Sequence, residues 1–230
     1  MNIGGFQKTS LLDYPDTLSA IIWTTNCNFR CPFCYNKHLV FGETALISED
    51  EVLSFLEKRK NILEGLVITG GEPFLQEDLS DFIKKVKGIG YKIKIDTNGS
   101  FPEKLKDLLD NNLLDYVSMD VKAPKKKYKR LSGVKSDIKK IESSIEIIKN
   151  QAPDYEFRTT IIPGLLDKND ILEIAKWLEG SKNYYLQQFK SDTELISAEI
   201  NNLKPYSKEE LLNILNEIKP FFKNCGLRGV

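Results

Sequence analysis

The sequence predicts an α/β fold, an open partial (β/α)6 barrel of parallel strands, and three observations carry that reading. Apolar runs of strand length alternate strictly with amphipathic runs of helix length, the pattern of parallel strands joined by right-handed crossovers. The alternation yields about six units, too few to close an eight-unit barrel. Glycine-rich and polar clusters recur just after successive strands, the end at which a parallel barrel carries its chemistry.

Residues up to Pro15 are short and mixed, with turn signals at Gly4-Gly5-Phe6 and Asp13-Tyr14-Pro15. The first strand is the apolar run Leu18 to Thr24. Ser48 and Glu51 form a capping-box pattern, opening a helix with Val52, Leu53, Phe55, Leu56 and Ile62 on its apolar face. Further strands are expected at Gly65 to Thr69, Tyr91 to Ile95, Tyr116 to Met119, Phe157 to Ile162 and Tyr184 to Phe189. Helices are expected at Leu79 to Val86, Glu103 to Leu109, Asp137 to Lys149 and Ile171 to Leu178. A closing helix, Lys208 to Phe222, starts from a Ser207 cap. No repeat, linker or low-complexity segment divides the chain. It is expected to be one domain over residues 1–230: an N-terminal extension to residue 17, a barrel core over 18–189, and a C-terminal segment over 190–230.

Composition narrows the function classes. Lys and Arg number 33 against 33 Asp and Glu in 230 residues, which argues against the broad basic field of a nucleic-acid binder. No apolar run approaches the ~20 residues of a membrane span. The start, Met1-Asn2-Ile3-Gly4-Gly5, lacks the basic-then-apolar layout of a secretory signal. Three of the four cysteines are clustered rather than spread as a disulfide framework, so a reducing cytoplasm is the expected location.

That cluster is Cys27-Asn28-Phe29-Arg30-Cys31-Pro32-Phe33-Cys34, spaced C-x-x-x-C-x-x-C. Three thiolates in one loop can hold three corners of a metal centre. An iron–sulfur cube is usually held by four cysteines; one held by three keeps an iron open to an outside ligand, which makes a reaction centre rather than a relay. A structural zinc site is the competing reading. It needs a closed set of four ligands, and His38, the only histidine, would have to complete it.

After the expected second strand comes Gly70-Gly71-Glu72-Pro73; after the third, Asp96-Thr97-Asn98-Gly99; after the fourth, Asp120-Val121-Lys122. Arg158 lies within the fifth and Gln187-Gln188 within the sixth. The cysteine spacing, the aromatic Phe33 before the third cysteine, and Gly70-Gly71-Glu72-Pro73 together resemble the radical S-adenosylmethionine (SAM) superfamily. The resemblance implies a [4Fe–4S] cluster on Cys27, Cys31 and Cys34, with SAM bound through its amino and carboxylate groups to the open iron. One-electron reduction would then give methionine and a 5′-deoxyadenosyl radical that takes a hydrogen atom from a substrate, an oxidoreductase chemistry carried by the cofactors. No catalytic residue beyond the cluster ligands is implied.

The same resemblance distributes the cofactor contacts. Gly70 and Gly71 allow close backbone approach and unusual φ, and their strand edge can accept the SAM ammonium, with the Glu72 carboxylate facing the same cation. Phe33 and Tyr35 flank Cys34, where the family places the adenine. Asn98 and Asp120 can bond ribose hydroxyls or a cation, and Lys122 offers a charge for the SAM carboxylate.

The run Gly5 to Pro15 resembles the N-terminus of activating proteins of anaerobic ribonucleoside-triphosphate reductases, within the glycyl-radical-enzyme activases. This implies a glycyl-radical enzyme, an anaerobic ribonucleotide reductase, as protein substrate, and a low-potential electron donor such as flavodoxin or ferredoxin. Two rivals remain. One keeps the SAM chemistry but takes a small molecule or nucleobase, as a carboxy-deazaguanine synthase does, using Gln187, Gln188 and Arg158. The other is a non-catalytic metal-binding or electron-transfer protein. Cys225 is expected to pack the closing helix against the domain, with a thiol near the partner surface as the alternative. Lys125 to Arg130 is a solvated basic loop or a docking patch for an acidic partner.

Overall fold

The computed structural model describes residues 1–230. Seven strands run parallel in chain order: β2 (Ser19–Thr24), β3 (Gly65–Gly70), β4 (Lys92–Thr97), β5 (Tyr116–Asp120), β6 (Tyr155–Ile161), β7 (Asn183–Gln188) and β8 (Asn224–Arg228). A further strand, β1 (Ile3–Ser10), pairs antiparallel with β2. The sheet order is β1 through β8 without closure, so β1 and β8 border a gap. The parallel, open α/β architecture is as expected, with two more strands than the pattern showed.

Helices α1 (Lys37–Phe41), α2 (Glu49–Arg59), α3 (Leu79–Ile89), α4 (Pro102–Asp110), α5 (Tyr128–Ser132), α6 (Ile138–Gln151), α7 (Lys168–Trp177) and α8 (Lys208–Ile218) fill the connections. Their starts obey local chemistry. Ser48 accepts from the Glu51 N–H to open α2, Asp137 caps α6, and Asp167 and Ser207 form reciprocal capping boxes for α7 and α8. No helix is long and apolar enough to cross a membrane.

Strand alternation divides the sheet into two faces. Ala20, Ile22, Leu66, Ile68, Ile93, Ile95, Val117, Met119, Phe157 and Leu186 are fully buried in the main core cluster with the helices. Each such side chain is worth about 1.5–3 kcal/mol of burial. The other face lines the concave lumen, and there the register builds layers. Ile21, Val67, Lys94 and Tyr116 pair in one row, and with Tyr14 they plug one end. The next row is Asp96, Ser118 and Glu156, followed by Asp120, Arg158, Tyr185 and Gly226.

Both unexpected strands hid for physical reasons. β1 shows no period-two burial, because backbone pairing with β2 holds it rather than a buried face. The closing helix ends at Ile218 instead of Phe222, since Pro220 cannot continue it and a single 3-10 turn follows. Two residues separate that turn from β8, which begins at Asn224, so Cys225 sits half-buried on a strand and packs against the core from there, not from the helix.

Arg228 anchors β8. Its guanidinium donates two hydrogen bonds, 2.6 and 2.7 Å, to the buried carboxylate of Glu156 on β6 and stacks 3.7 Å from the Tyr185 ring centroid. Arg228→Met is expected to lower unfolding stability by about 1–3 kcal/mol, because a buried carboxylate loses its fork partner. Asn224→Ala, at an exposed end of the same strand, should change it by less than about 0.5 kcal/mol. Urea unfolding of the two variants checks the pair.

Candidate functional site

The cysteine loop leaves β2 at Thr24 and is tied down by segments distant in sequence. Thr25 and Asn26 donate backbone bonds to the carbonyls of Asn2 (3.0 Å) and Leu39 (2.7 Å), and Arg30 to that of Ser132 (2.8 Å). Ile196 and Ser197 donate to the carbonyls of Cys34 (3.0 Å) and Pro32 (2.9 Å). These ties fix the loop without using a cysteine side chain.

All four cysteines are free thiols; Cys31 is buried, Cys27 and Cys34 half-buried. Burial pushes the Cys27 thiol up to about 11, aided by the Glu72 charge, and the Cys31 thiol up to about 12 despite the nearby Lys122. Burial raises Cys34 as well. Cys31 feels both Cys27 and Cys34, and Cys27 feels Cys34, which places the three in one site. An apolar pocket of this kind holds three thiolates only around added positive charge.

The donor set suits a thiophilic iron–sulfur centre. The thiols are not drawn in to the span of one ion: no three His, Cys, Asp or Glu side chains close around a single-ion position. His38 is exposed on α1, close enough to the Glu194 carboxylate to influence it. It does not complete a zinc set.

The end of β3 is stitched to this loop. Gly71 N–H donates to the Thr24 carbonyl (2.9 Å) and Glu72 N–H to the Asn26 carbonyl (2.8 Å). A Cβ on Gly71 would lie 1.9 Å from the Asn26 oxygen, and one on Gly70, at φ 118°, 2.4 Å from the Thr24 backbone. Only glycine permits this approach.

Glu72 is fully buried. Its carboxylate accepts from Thr97 Oγ1 (2.8 Å), Asn98 N–H (2.8 Å) and Phe74 N–H (3.3 Å). Burial pushes it up to about 7 even though those donors and Lys122 pull the other way. It therefore brackets the ends of β3 and β4 from behind, where an open carboxylate facing a ligand was expected.

Asn98, also buried, donates to Asn28 Oδ1 (2.9 Å), lies 3.9 Å from Cys27 Sγ and accepts from Ser100. Phe33 is buried in the core with Lys122 Nζ 5.9 Å from its ring centroid, whereas Tyr35 is exposed and feels the charges of Asp120, Arg158 and Lys122. Of the two aromatics, Tyr35 keeps an open face.

Lys122 bonds Asp120 Oδ2 (3.1 Å), and Arg158 Nε bonds Asp120 Oδ1 (3.0 Å). Arg158 Nη1 also reaches Asp96 (3.2 Å) and lies 3.8 Å from Glu156. Lys94, buried in the lumen, bonds Asp96. Arg158 thus points inward, which the sequence left undecided. Sequence reasoning missed Asn28, Lys94, Glu156 and Arg228. The signal was there for two of them: charges at Lys94 and Asp96, and at Glu156 and Arg158, share a strand face at period two. Lys125, Lys126 and Lys127 pair with Glu142, Glu173 and Asp170, so most of the basic run is spent inside the chain.

A family model described as the radical SAM superfamily matches residues 21–178. A Methanocaldococcus jannaschii protein provisionally named a glycyl-radical enzyme activating enzyme is 32% identical over 99% of this chain and 96% of its own. A Thermococcus kodakarensis protein provisionally named a GTP 3′,8-cyclase is 28% identical over 70% of this chain and 53% of its own. The crystal structure of Streptococcus suis SuiB bound to S-adenosylmethionine superposes with a TM-score of 0.69 at 15% identity, over 91% of this chain. This chain spans only half of SuiB, so the likeness concerns the fold.

Burial alone would raise Asp96, Asp120 and Glu156, but their cationic neighbours outweigh it and hold all three below the ordinary carboxylate range. Their contribution to stability is in place at neutral pH and is lost as pH falls through those depressed values. The melting temperature should therefore drop steeply only well below the ordinary carboxylate pKa of ~4. Glu72 carries the opposite sign: its contribution is present in acid and lost as pH rises toward about 7. Glu72→Gln, which leaves one donor facing an amide, is expected to cost about 1–3 kcal/mol and to flatten that second window in unfolding curves.

Proposed function

The chain belongs to the radical SAM superfamily, and from that premise we propose that it installs a radical on a glycine of a partner enzyme, an anaerobic ribonucleoside-triphosphate reductase. The relative aligned over nearly its whole length carries a glycyl-radical activase name. The stretch Gly5 to Pro15 supports the narrower choice of partner.

The observation that carries the reading against a small anionic substrate is the state of the lumen cations. Arg158 is engaged by Asp96, Asp120 and Glu156, Arg228 by Glu156 and Lys94 by Asp96. A nucleotide would need such charges free to meet its phosphates. An open sheet edge and a mouth above a filled lumen suit a glycine presented on a loop.

In this reading Cys27, Cys31 and Cys34 hold a [4Fe–4S] cluster. The backbone at Gly70 and Gly71 receives the SAM ammonium, and Glu72 fixes that backbone from behind. Lys122 and Asp120 orient the polar groups of SAM, Asn98 steadies the loop beside Cys27, and Tyr35 offers its open face to the adenine. Bound there, the cluster and SAM supply a carbon-centred radical able to take a hydrogen atom from an unactivated C–H.

Electron paramagnetic resonance tests the proposal. The protein is reconstituted anaerobically with iron and sulfide, then mixed with SAM, dithionite and the reductase from the same source. A glycyl doublet is expected, dependent on SAM and abolished by Cys31→Ala. Methionine and 5′-deoxyadenosine without a doublet would reject the protein substrate and return the small-molecule reading. Neither product from an assembled cluster would reject the enzyme.

A further inference from the structure

The cluster loop has a second approach, from the segments that lead into α4 and α6. A groove of about 390 Å3 lies where the first turns of α4 and α6 meet the loop, and Asn28, Phe29, Ser100, Phe101, Lys135 and Lys140 contribute to its lining. Its wall is the cysteine loop itself, at Asn28 and Phe29. Asn28 follows Cys27 in the chain, donates to Ser100 Oγ (2.9 Å), and accepts from Asn98, whose amide lies 3.9 Å from Cys27 Sγ. The groove does not share the mouth, where the ends of β5 and β6 gather Asp120, Lys122 and Arg158.

The surface around it is basic in an unusual way. Lys125, Lys126 and Lys127 are paired inside the chain, but Lys129, Arg130, Lys135, Lys139 and Lys140 are all exposed and make no ion pair. Asp137, the one acid lining the groove, is spent capping α6. The exposed Arg30 is drawn over the loop by bonds to the carbonyls of Phe29 and Cys27. In a chain of zero formal net charge, this leaves a local positive field at the wall nearest the cysteines.

We propose that this groove is the docking surface for an acidic one-electron carrier protein that reduces the cluster. The proposal rests on the cluster reading above. One electron leaves the reduced centre of the carrier, which is oxidised by one electron, and enters the oxidised cluster; no bond is made or broken in that step. Approach from the α4/α6 flank leaves the mouth free for SAM and the protein substrate, so reduction and substrate docking do not compete. Charge complementarity at such a rim acts mainly on the association rate and fades with salt.

The test compares wild type, Lys135→Glu/Lys140→Glu and the control Lys125→Glu/Lys126→Glu, each reconstituted anaerobically. Cluster reduction is followed by visible bleaching with flavodoxin hydroquinone as the acidic carrier, and separately with dithionite. Binding of oxidised flavodoxin is measured by calorimetry. The first variant is expected to be reduced by flavodoxin about tenfold or more slowly at low salt, with weaker binding and a shallower salt dependence. Dithionite reduction and the control variant should match wild type. Three results would overturn the proposal: unchanged flavodoxin reduction and binding, an equal loss with dithionite, or normal reduction with slower glycyl-radical installation, which would give the groove to the partner enzyme. SAM cleavage by wild type with dithionite reports separately on the parent reading.

Discussion

The site depends on a backbone contact tighter than any side chain would allow. Gly70 and Gly71 bring the end of β3 against Thr24 and Asn26, so the loop bearing Cys27 is hydrogen-bonded to the neighbouring strand at its root. Glu72 then turns inward and gathers the start of the next loop through Thr97 and Asn98. Two strand ends and the cysteine loop become one rigid piece. A buried carboxylate with a raised pKa costs stability; here it offsets donors that would otherwise be orphaned between strands.

A second organisation lies beneath it. The lumen is neither a pore nor an apolar core: tyrosines, Ile21 and Val67 seal one end, and an ionic lattice centred on Arg158 fills the middle. Burying such a lattice is weak evidence for stability in itself. What it does provide is geometry. Arg158 is oriented by carboxylates on three strands, so the Asp120 that it shares with Lys122 reaches the mouth from a braced position.

Most of the frame was legible because parallel strands under helices leave a strong record in apolar runs. The cysteines and the glycine-rich turn were legible as chemistry, since few other arrangements need those residues in that order. What escaped was whatever depends on register or on contact between distant segments. The inward turn of Glu72, the packing of Phe33 under Lys122 and the engagement of Lys125 to Lys127 are choices among partners, and one chain's residue order does not name partners. β8 escaped for another reason: five residues with an internal glycine carry too little pattern, and their value lies in what Arg228 reaches on β6.

Because spatial order along the sheet equals order along the chain, each strand can add to an edge already formed. During synthesis the lumen charges would then emerge in sequence, with Glu156 buried on β6 before its fork partner exists. Arg228, on the last strand, is the counter-charge that completes the set. Until β8 is in place the carboxylate would rest on Tyr116, Ser118 and Arg158 alone, so loss of that edge strand would be felt at the centre of the barrel rather than at its margin.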